Sequence, residues 1–289
     1  MRLRATVPAT SANLGPGFDC FGLALDLCNE VSVDTDAERG VTWEGEGGDE
    51  LPSDGTDAVS RAMRRIAEAA GEELPPFRLH GLNRIPLARG LGSSSAAAVA
   101  GVALARTLLR LPEDGDPRAA LFDAAAEIEG HPDNAAPAVY GGLTVIADRR
   151  VLRFDVPETI RPVVLVPEHV RLSTEVARRV LHERVPLADA VANVAHGALV
   201  VHAITTGDAD LLSIGLRDRL HEDVRMALVP QVGEMRERIR STGVPVCVSG
   251  SGPSLLAFDT DTRPVPDPGE GWRVLRPGVR DAGAEVREA

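Results

Sequence analysis

The chain has 289 residues, an apolar content of 44% and a net charge of −12 at neutral pH. Its length suits two modest domains or one large domain. Its acidity argues against duplex nucleic acid as a partner, because such partners need a basic face. Apart from histidine every basic residue is arginine, which excludes a Walker A loop, a protein kinase and a Schiff-base lysine.

The sequence also bears on where the chain works. The three cysteines are too few and too scattered for a disulfide framework or a zinc site. The N-terminus lacks the apolar run of a signal peptide. No uncharged apolar run reaches the length that crosses a bilayer. The sequence therefore predicts a cytoplasmic protein without a membrane partner.

In chain order, the first half predicts strands interleaved with helices. Helices begin at caps on Thr56 or Asp57 and on Asp116, and glycines at 71 and 130 end them. The predicted strands are residues 3–8, 23–33, 41–43 and 77–82, followed by a hairpin of residues 143–147 and 151–156. This mixture indicates an α+β domain that ends near residue 155.

The second half predicts a similar mixture. Its predicted strands are residues 163–166, 244–248, 255–258 and 272–275, and its predicted helices are residues 173–181, 186–206 and 226–241. The resulting division is one domain of residues 1–155 and another of residues 156–289.

The stretch from Pro86 to Gly101 reads Pro-Leu-Ala-Arg-Gly-Leu-Gly-Ser-Ser-Ser-Ala-Ala-Ala-Val-Ala-Gly. Gly90 and Gly92 permit a tight loop with positive φ, and the serines that follow offer an N-cap. A loop that ends at a helix N-terminus directs unpaired N–H groups at one point, which suits a phosphate. A buried alanine-rich helix with an ordinary serine cap fits this stretch equally well.

Two other stretches favour the phosphate-binding interpretation. Residues 8–25 read Pro-Ala-Thr-Ser-Ala-Asn-Leu-Gly-Pro-Gly-Phe-Asp-Cys-Phe-Gly-Leu-Ala-Leu, and residues 247–258 read Cys-Val-Ser-Gly-Ser-Gly-Pro-Ser-Leu-Leu-Ala-Phe. With the central stretch, they resemble the three signature motifs of the GHMP kinases, in order and across nearly the whole chain. The first motif resembles the homoserine kinase version in particular.

The resemblance implies a two-domain α+β GHMP kinase fold. Its N-terminal domain would resemble ribosomal protein S5, with a left-handed βαβ unit, and its C-terminal domain would be ferredoxin-like. The implied reaction uses ATP and Mg²⁺ to phosphorylate L-homoserine to O-phospho-L-homoserine, a step towards threonine. The resemblance also suggests a homodimer.

The resemblance assigns the central stretch to ATP. The residues concerned are Pro86, Leu87, Ala88, Arg89, Gly90, Leu91, Gly92, Ser93, Ser94, Ser95 and Ala96. Mg²⁺ prefers a carboxylate and hard oxygens, and the resemblance implies a serine of the loop plus a glutamate late in the following helix. Ser94 and Glu127 are the choice, with Ser93, Ser95 and Glu129 as competitors.

A zwitterionic substrate needs a carboxylate for its ammonium and an arginine for its carboxylate. Asn13 and Asp19 in the first motif suit its polar end, and His131, Asp133 and Asn134 form a compact polar cluster. For the substrate carboxylate, the resemblance points to Arg178 and Arg225.

For catalysis, Asp133 is the obvious candidate base, although it is assigned to binding first. Asn134 is placed beside it, and Thr174 offers a hydroxyl near the transferred group. The alternatives are a GHMP kinase for mevalonate, shikimate or a sugar, and a non-catalytic relative that binds a metabolite. A nucleotide-binding oxidoreductase ranks last, because Ser95 stands where G-x-G-x-x-G needs its third glycine.

Overall fold

The computed structural model describes residues 1–112 and 115–289 as two mixed layers of helix and sheet. The strands are β1 (Arg2–Ala12), β2 (Phe21–Asp34), β3 (Gly40–Gly45), β4 (Arg78–Asn83), β5 (Leu143–Ala147), β6 (Arg150–Phe154), β7 (Arg161–Pro167), β8 (Val246–Val248), β9 (Leu255–Asp259), β10 (Trp272–Leu275) and β11 (Glu285–Glu288). The helices are α1 (Ala58–Ala70), α2 (Ser93–Leu108), α3 (Pro117–Glu129), α4 (Ala135–Tyr140), α5 (Thr174–Arg179), α6 (Leu187–Thr206), α7 (Ala209–Gly215), α8 (Glu222–Met226) and α9 (Pro230–Ser241).

The first sheet has the order β11-β1-β2-β4-β3, and β5 pairs with β2 and β6. β1 and β2 form its long antiparallel centre, while β3 and β4 are parallel. Because α1 connects these two parallel strands, β3, α1 and β4 make a βαβ unit, the supersecondary element that the resemblance implies. The mixed α+β architecture is confirmed.

The helices α1 and α2 cross at very short distance. A Cβ on Gly101 of α2 would lie 2.5 Å from the carbonyl oxygen of Val59 in α1. The alanine-rich sequence of α2 therefore serves close packing, as its composition predicts. The α1 ends are also as predicted, since the Asp57 side chain accepts from the Ser60 amide and Gly71 ends the helix in the left-handed region.

The second sheet has the antiparallel order β10-β7-β9-β8. Numbered within this half, the order is 4-1-3-2, that of a ferredoxin-like sheet. Alternate residues of β7 enter different cores: Val163 and Leu165 pack with α9, whereas Val164 and Val166 join the core of the first sheet. The second sheet is thus buried on both faces, and its inner face supports the first half of the molecule.

The C-terminal tail departs from the predicted two-part division. β11 pairs with β1, and Leu25 bridges to Val279, so the tail rejoins the first sheet. Sequence reasoning stopped at the strand of residues 272–275 and missed β11, a short strand with three charged residues out of four.

Some helices also differ from expectation. α4, α7 and α8 were not predicted, and α9 begins at Pro230 rather than at residue 226. α6 is long and apolar enough to cross a membrane by length and composition, with a hydropathy of 1.4, which corrects the expectation that no such segment exists. In the fold, Val200, Ala203 and Ile204 of α6 pack into the first core.

Candidate active site

A cleft of about 480 Å³ opens between loops of the first half of the chain and the segments that connect the strands of the second sheet. All three motif stretches reach it, because the loop between β1 and β2, the loop before α2 and the turn between β8 and β9 meet there. Every predicted site residue lines this cleft except Ala96 and Glu127. Tertiary folding therefore brings together residues that lie more than 200 positions apart in sequence.

The loop before α2 needs its glycines. Gly90 and Gly92 have φ of +72° and +68°, as predicted. A Cβ on Gly90 would lie 2.2 Å from the Ser249 carbonyl oxygen, and one on Gly92 would lie 2.0 Å from Oγ1 of Thr10. Gly92 itself is the N-cap of α2 and has no side chain to cap the helix. The first N–H groups of this 16-residue helix therefore remain available to an anion in the cleft.

The third motif stretch is hydrogen-bonded to the other two. The Ser249 hydroxyl donates to the Gly90 carbonyl at 2.7 Å and lies 2.9 Å from Oγ of Ser11. Nδ2 of Asn13 donates to the Gly250 carbonyl at 2.7 Å. This turn thus fixes the position of the loop relative to β1, and Asn13 contributes to the framework of the cleft as well as to its lining.

The serines after the loop bind one glutamate of α3. Oγ of Ser94 and Oγ of Ser95 donate to the two carboxylate oxygens of Glu129, at 2.8 and 2.7 Å. Glu127 instead meets Arg65 at 2.9 Å and its side chain is 72% exposed. The expectation that Glu127 faces the loop is therefore wrong in geometry, and so is the expectation that a serine side chain caps α2.

Helix geometry explains why Glu129, and not Glu127, contacts the two serines. Residues two apart on a helix are separated by about 200°, so Glu127 and Glu129 lie on opposite faces of α3. Within the described part of the chain, no group of three or more His, Cys, Asp or Glu side chains is arranged around a metal. One carboxylate and two hydroxyls at the N-terminus of a helix are nevertheless a donor set that fits Mg²⁺, which takes few protein ligands and completes its shell with phosphates and water.

Asp19 and Arg178 form a bidentate ion pair across the cleft, at 2.7 and 3.0 Å. Both side chains are about one-third exposed, at 36% and 35%. The carboxylate raises the pKa of Arg178. The Phe18 ring lies 5.7 Å below the Arg178 guanidinium and 5.1 Å from that of Arg225, so one aromatic side chain contacts both cations.

Arg225 is almost wholly buried, at 1% exposure. Its partners among the described residues are the carbonyls of Ala177 and Gly250 and Nδ1 of His221, none of which is a carboxylate. His221 donates from Nε2 to the Gly15 carbonyl, so Nδ1 is the acceptor. Burial lowers the pKa of His221 despite the nearby Asp218 carboxylate. Among the described residues, Arg225 thus makes no direct ion pair, although the carboxylates of Asp19, Asp133 and Asp218 lie near enough to favour its charged form.

The predicted polar cluster is also assembled. Oδ1 of Asp133 accepts from His131 and from the Asn134 amide, both at 3.0 Å. The hydrogen bond with Asp133 raises the pKa of His131 above its usual value. Asn134 accepts from the Thr10 hydroxyl at 2.8 Å. On the opposite wall, the Thr174 hydroxyl lies 3.3 Å from that of Ser251.

A buried carboxylate anchors α8, the helix that carries Arg225. Glu222 accepts from the Val248 amide at 2.7 Å and from Arg236 at 2.9 Å. Burial raises the pKa of Glu222 to about 7. α8 is thereby tied both to α9 and to β8, beside the third motif, which positions Arg225.

Sequence reasoning did not single out Phe18, His221 and Ser251, and it gave Glu129 only as a competitor of Glu127. Two of these carried a signal that could have been used. Glu129 directly precedes the polar stretch that begins at Gly130, and Phe18 is the aromatic centre of the first motif. His221 and Ser251 carried none, because only tertiary contacts bring them to Arg225 and Thr174.

Comparisons with known proteins agree with this geometry. The family model of the GHMP kinases N terminal domain matches residues 57–142, and that of the GHMP kinases C terminal matches residues 200–266. A homoserine kinase of Streptomyces coelicolor is 40% identical over 98% of this chain and 94% of its own length. One of Cutibacterium acnes is 43% identical over 89% of this chain and 88% of its own length.

A solved structure extends the likeness to the fold. The crystal structure of homoserine kinase from Cytophaga hutchinsonii matches with a TM-score of 0.83 and 29% identity, and covers 99% of this chain and 97% of that one. These likenesses span both sheets and all three motif stretches of the cleft. The chain therefore belongs to the GHMP kinases and, within them, to the homoserine kinase family.

Proposed function

We propose that this chain transfers the γ-phosphoryl group of ATP to the side-chain hydroxyl of L-homoserine, which gives O-phospho-L-homoserine and ADP and serves threonine biosynthesis. The observation that carries the proposal is the composition of the cleft. The glycine loop and the N-terminus of α2 stand beside a carboxylate and two arginines, and one of these arginines is buried without a carboxylate partner among the described residues. That set suits the charges of an amino acid and exceeds what an uncharged alcohol needs.

The nucleotide is assigned to the loop from Pro86 to Ala96. The first turn of α2 lies at the cleft, and its unpaired N–H groups favour phosphate oxygens there. Leu51, Ala58 and Ala97 add an apolar wall beside Leu87. This wall offers a place for the base, for which the sequence contains no evident stacking aromatic.

For the metal, we assign Glu129 with the hydroxyl of Ser94, and Ser95 supports the same carboxylate. Mg²⁺, when bound, would neutralise the charge of the phosphates during transfer. Glu129 replaces Glu127 in this role, because Glu127 faces Arg65 on the far side of α3.

For the substrate, Asp19 is assigned to the ammonium group, and Arg178 and Arg225 to the carboxylate. Asp19 and Arg178 are each other's partners in a bidentate pair. A zwitterion offers each of them an equivalent partner of the right charge. Asn13 and His131 border the same space.

In the transfer step, the substrate oxygen forms a bond to the γ-phosphorus, the bond between that phosphorus and the bridging oxygen of ADP breaks, and the hydroxyl proton is released. Asp133 and Asn134 are assigned to orienting the hydroxyl, with Asp133 as the acceptor through which its proton can leave. Thr174 is assigned to a phosphoryl oxygen, opposite them across the cleft.

The first experiment is a coupled assay of ADP release with ATP and Mg²⁺, in which L-homoserine is compared with mevalonate, shikimate and galactose. Saturable turnover with L-homoserine alone is the expected result. Turnover with another alcohol would retain the kinase and reject the assigned substrate. ATP binding without turnover on any of them would indicate a non-catalytic relative.

The substrate assignment predicts that Asp19→Asn raises KM for L-homoserine by about tenfold or more, since a charge-assisted contact to the ammonium is lost. KM for ATP should change much less. The matched control is Asp26→Asn, which removes a carboxylate from an exposed pair with Arg280. An unchanged KM for L-homoserine would remove Asp19 from the substrate site.

Three broader assignments accompany this function. We assign the chain to the cytoplasm and divide it at residue 155, with the tail from about residue 278 rejoining the first unit. We also assign a homodimer, for which α6 offers exposed apolar side chains at Leu187, Val191 and Val194, exposed by 79%, 61% and 77%. Light scattering on the wild type and on Val194→Asp tests the dimer, and a wild-type monomer would reject it.

A further inference from the structure

A second cavity, of about 260 Å³, lies behind the phosphate loop. The end of β3, the segment after β7 and the strand β10 form its other walls. It shares Pro86, Leu87 and Arg89 with the cleft, and its remaining residues do not line the cleft. The ionisable side chains around it are Glu46, Arg89, Glu168, His169, Arg171 and Arg273.

The central group of this cavity is Arg89, which is only 9% exposed. Nη2 donates to the Glu168 carbonyl at 2.7 Å. Nη1 is buried and has no hydrogen-bond partner in the part of the chain that the structure describes. Burial lowers the pKa of Arg89, and the repulsion of Arg171 and Arg273 acts in the same direction. A buried guanidinium bound only to a carbonyl is unfavourable, because its charge is not compensated.

The other two arginines already have carboxylate partners. Arg171 forms a bidentate pair with Glu50 at 2.6 and 2.7 Å, and Arg273 pairs with Glu46. Among the described residues, Arg89 is therefore the arginine of this cavity that makes no direct ion pair, although Glu46 and Glu50 act on it from a distance. A guanidinium that is buried beside a cavity with one nitrogen unpartnered is a specific feature.

We propose that this cavity is a binding site for a small oxyanion, a phosphate group or a carboxylate, held by Arg89 with Arg171 and Arg273. The anion would accept from the unpartnered Nη1 and neutralise the buried charge. Arginine is suited to this task because its planar donors match the oxygens of such groups. The phosphates of a nucleotide in the cleft are the competing partner for Arg89. Against them, its Nη2 is directed to Glu168, a residue of the cavity and not of the cleft.

Such a site would act on the loop that we assign to ATP. Arg89 lies between Ala88 and Gly90, both at positive φ, so an anion that fixes the guanidinium also fixes the loop backbone. This consequence rests on the proposed function, whereas anion binding itself does not. By linkage, an anion that favours the nucleotide-bound loop would be bound more tightly in the presence of nucleotide.

The test is calorimetric titration of the full chain with inorganic phosphate, with and without a saturating non-hydrolysable ATP analogue and Mg²⁺. The analogue occupies the cleft, so phosphate that still binds must bind elsewhere. We expect one phosphate per chain in both conditions, with a Kd weakened about tenfold by Arg171→Gln or Arg273→Gln. A parallel titration with acetate shows whether a carboxylate serves equally well.

Arg161→Gln is the control, because it breaks an exposed pair with Asp261 and leaves the cavity intact. Arg171→Lys and Arg273→Lys keep the charge and should recover part of the affinity, which guards against misfolding of the glutamine variants. Absence of phosphate binding to the wild type would overturn the proposal. So would phosphate that the ATP analogue displaces, or phosphate affinity that neither cavity variant alters.

Discussion

At the scale of single residues, the metal role assigned to Glu129 in place of Glu127 has a direct functional consequence. Glu129 binds two serine hydroxyls at the start of α2, whereas Glu127 binds Arg65 on the outer surface. We expect Glu129→Gln to lower kcat/KM by at least about 100-fold, because the phosphates lose the carboxylate assigned to their metal. Glu127→Gln should stay within about twofold of the wild type, as is usual for an exposed pair.

The Mg²⁺ dependence of activity, together with the thermal midpoint, separates a metal-binding role of Glu129 from a structural one. If Glu129 holds Mg²⁺, its glutamine variant should need far more Mg²⁺ for half-maximal activity, while the thermal midpoint changes little. A variant that loses stability but keeps the Mg²⁺ dependence of the wild type would contradict the assignment.

The pair of His131 and Asp133 predicts a pH-dependent stability. Because the pair raises the pKa of His131 above its usual value of 6.5, the charged form is favoured in the folded state. Its contribution is therefore present below the unfolded pKa and is lost as the pH rises through the folded pKa. We expect His131→Asn to destabilise the protein by about 1 kcal/mol at about pH 5.5 and by much less at about pH 8.5.

Urea denaturation at both pH values measures this difference. His202→Asn is the matched control, because His202 is an exposed residue of α6. A His131→Asn deficit that is the same at both pH values would mean that the imidazole acts by packing and not by charge.

At the scale of elements, the loop before α2 is fixed by backbone contacts that only glycine permits. Gly90→Ala would bring a Cβ to 2.2 Å from the Ser249 carbonyl oxygen. We expect a loss of about 3 kcal/mol or more in stability and of most of the activity, since the third motif would be forced off the loop.

Gly71→Ala separates the steric clash with Ser249 from the left-handed backbone conformation as causes of that loss. Gly71 also has positive φ, at +69°, but among the described residues no atom lies within 4 Å of a Cβ built there. This control should lose only about 1 kcal/mol, the cost of the left-handed conformation. Equal losses in the two variants, measured by urea denaturation, would show that the contact with Ser249 contributes nothing.

At the scale of the whole molecule, the C-terminal strand closes the edge of the first sheet. β11 pairs with Leu3 to Thr6 of β1, and Leu3 and Ala5 are fully buried. We expect deletion of residues 285–289 to destabilise the protein by about 2 kcal/mol, because β1 becomes an unprotected edge. KM for both substrates should be unchanged, since the site lies at the other end of β1.

Arg287→Ala is the control for this deletion, because it removes an exposed side chain and leaves the strand in place. The urea midpoint of both variants, with their KM values, gives the result. An unchanged midpoint after deletion would mean that β11 pairs too weakly to contribute, and an altered KM would mean that the edge is coupled to the cleft.

From the sequence alone came the loop at Gly90 and Gly92, the helix ends at Gly71 and Asp116, and the family, while the cap of α1 was left open between Thr56 and Asp57. These features are local, because φ-positive turns and caps depend on a few neighbouring residues. The three motif stretches were recognisable for the same reason, since each one is a continuous run of residues.

Tertiary structure alone decided which residues face one another. The choice between Glu127 and Glu129 depends on the rotation of α3 against α2, and the role of Arg225 depends on its burial behind Phe18 and His221. The return of β11 to the first sheet is equally a long-range pairing. Burial and contacts between distant segments follow from the packing of the whole chain. A local pattern of residues does not predict that packing.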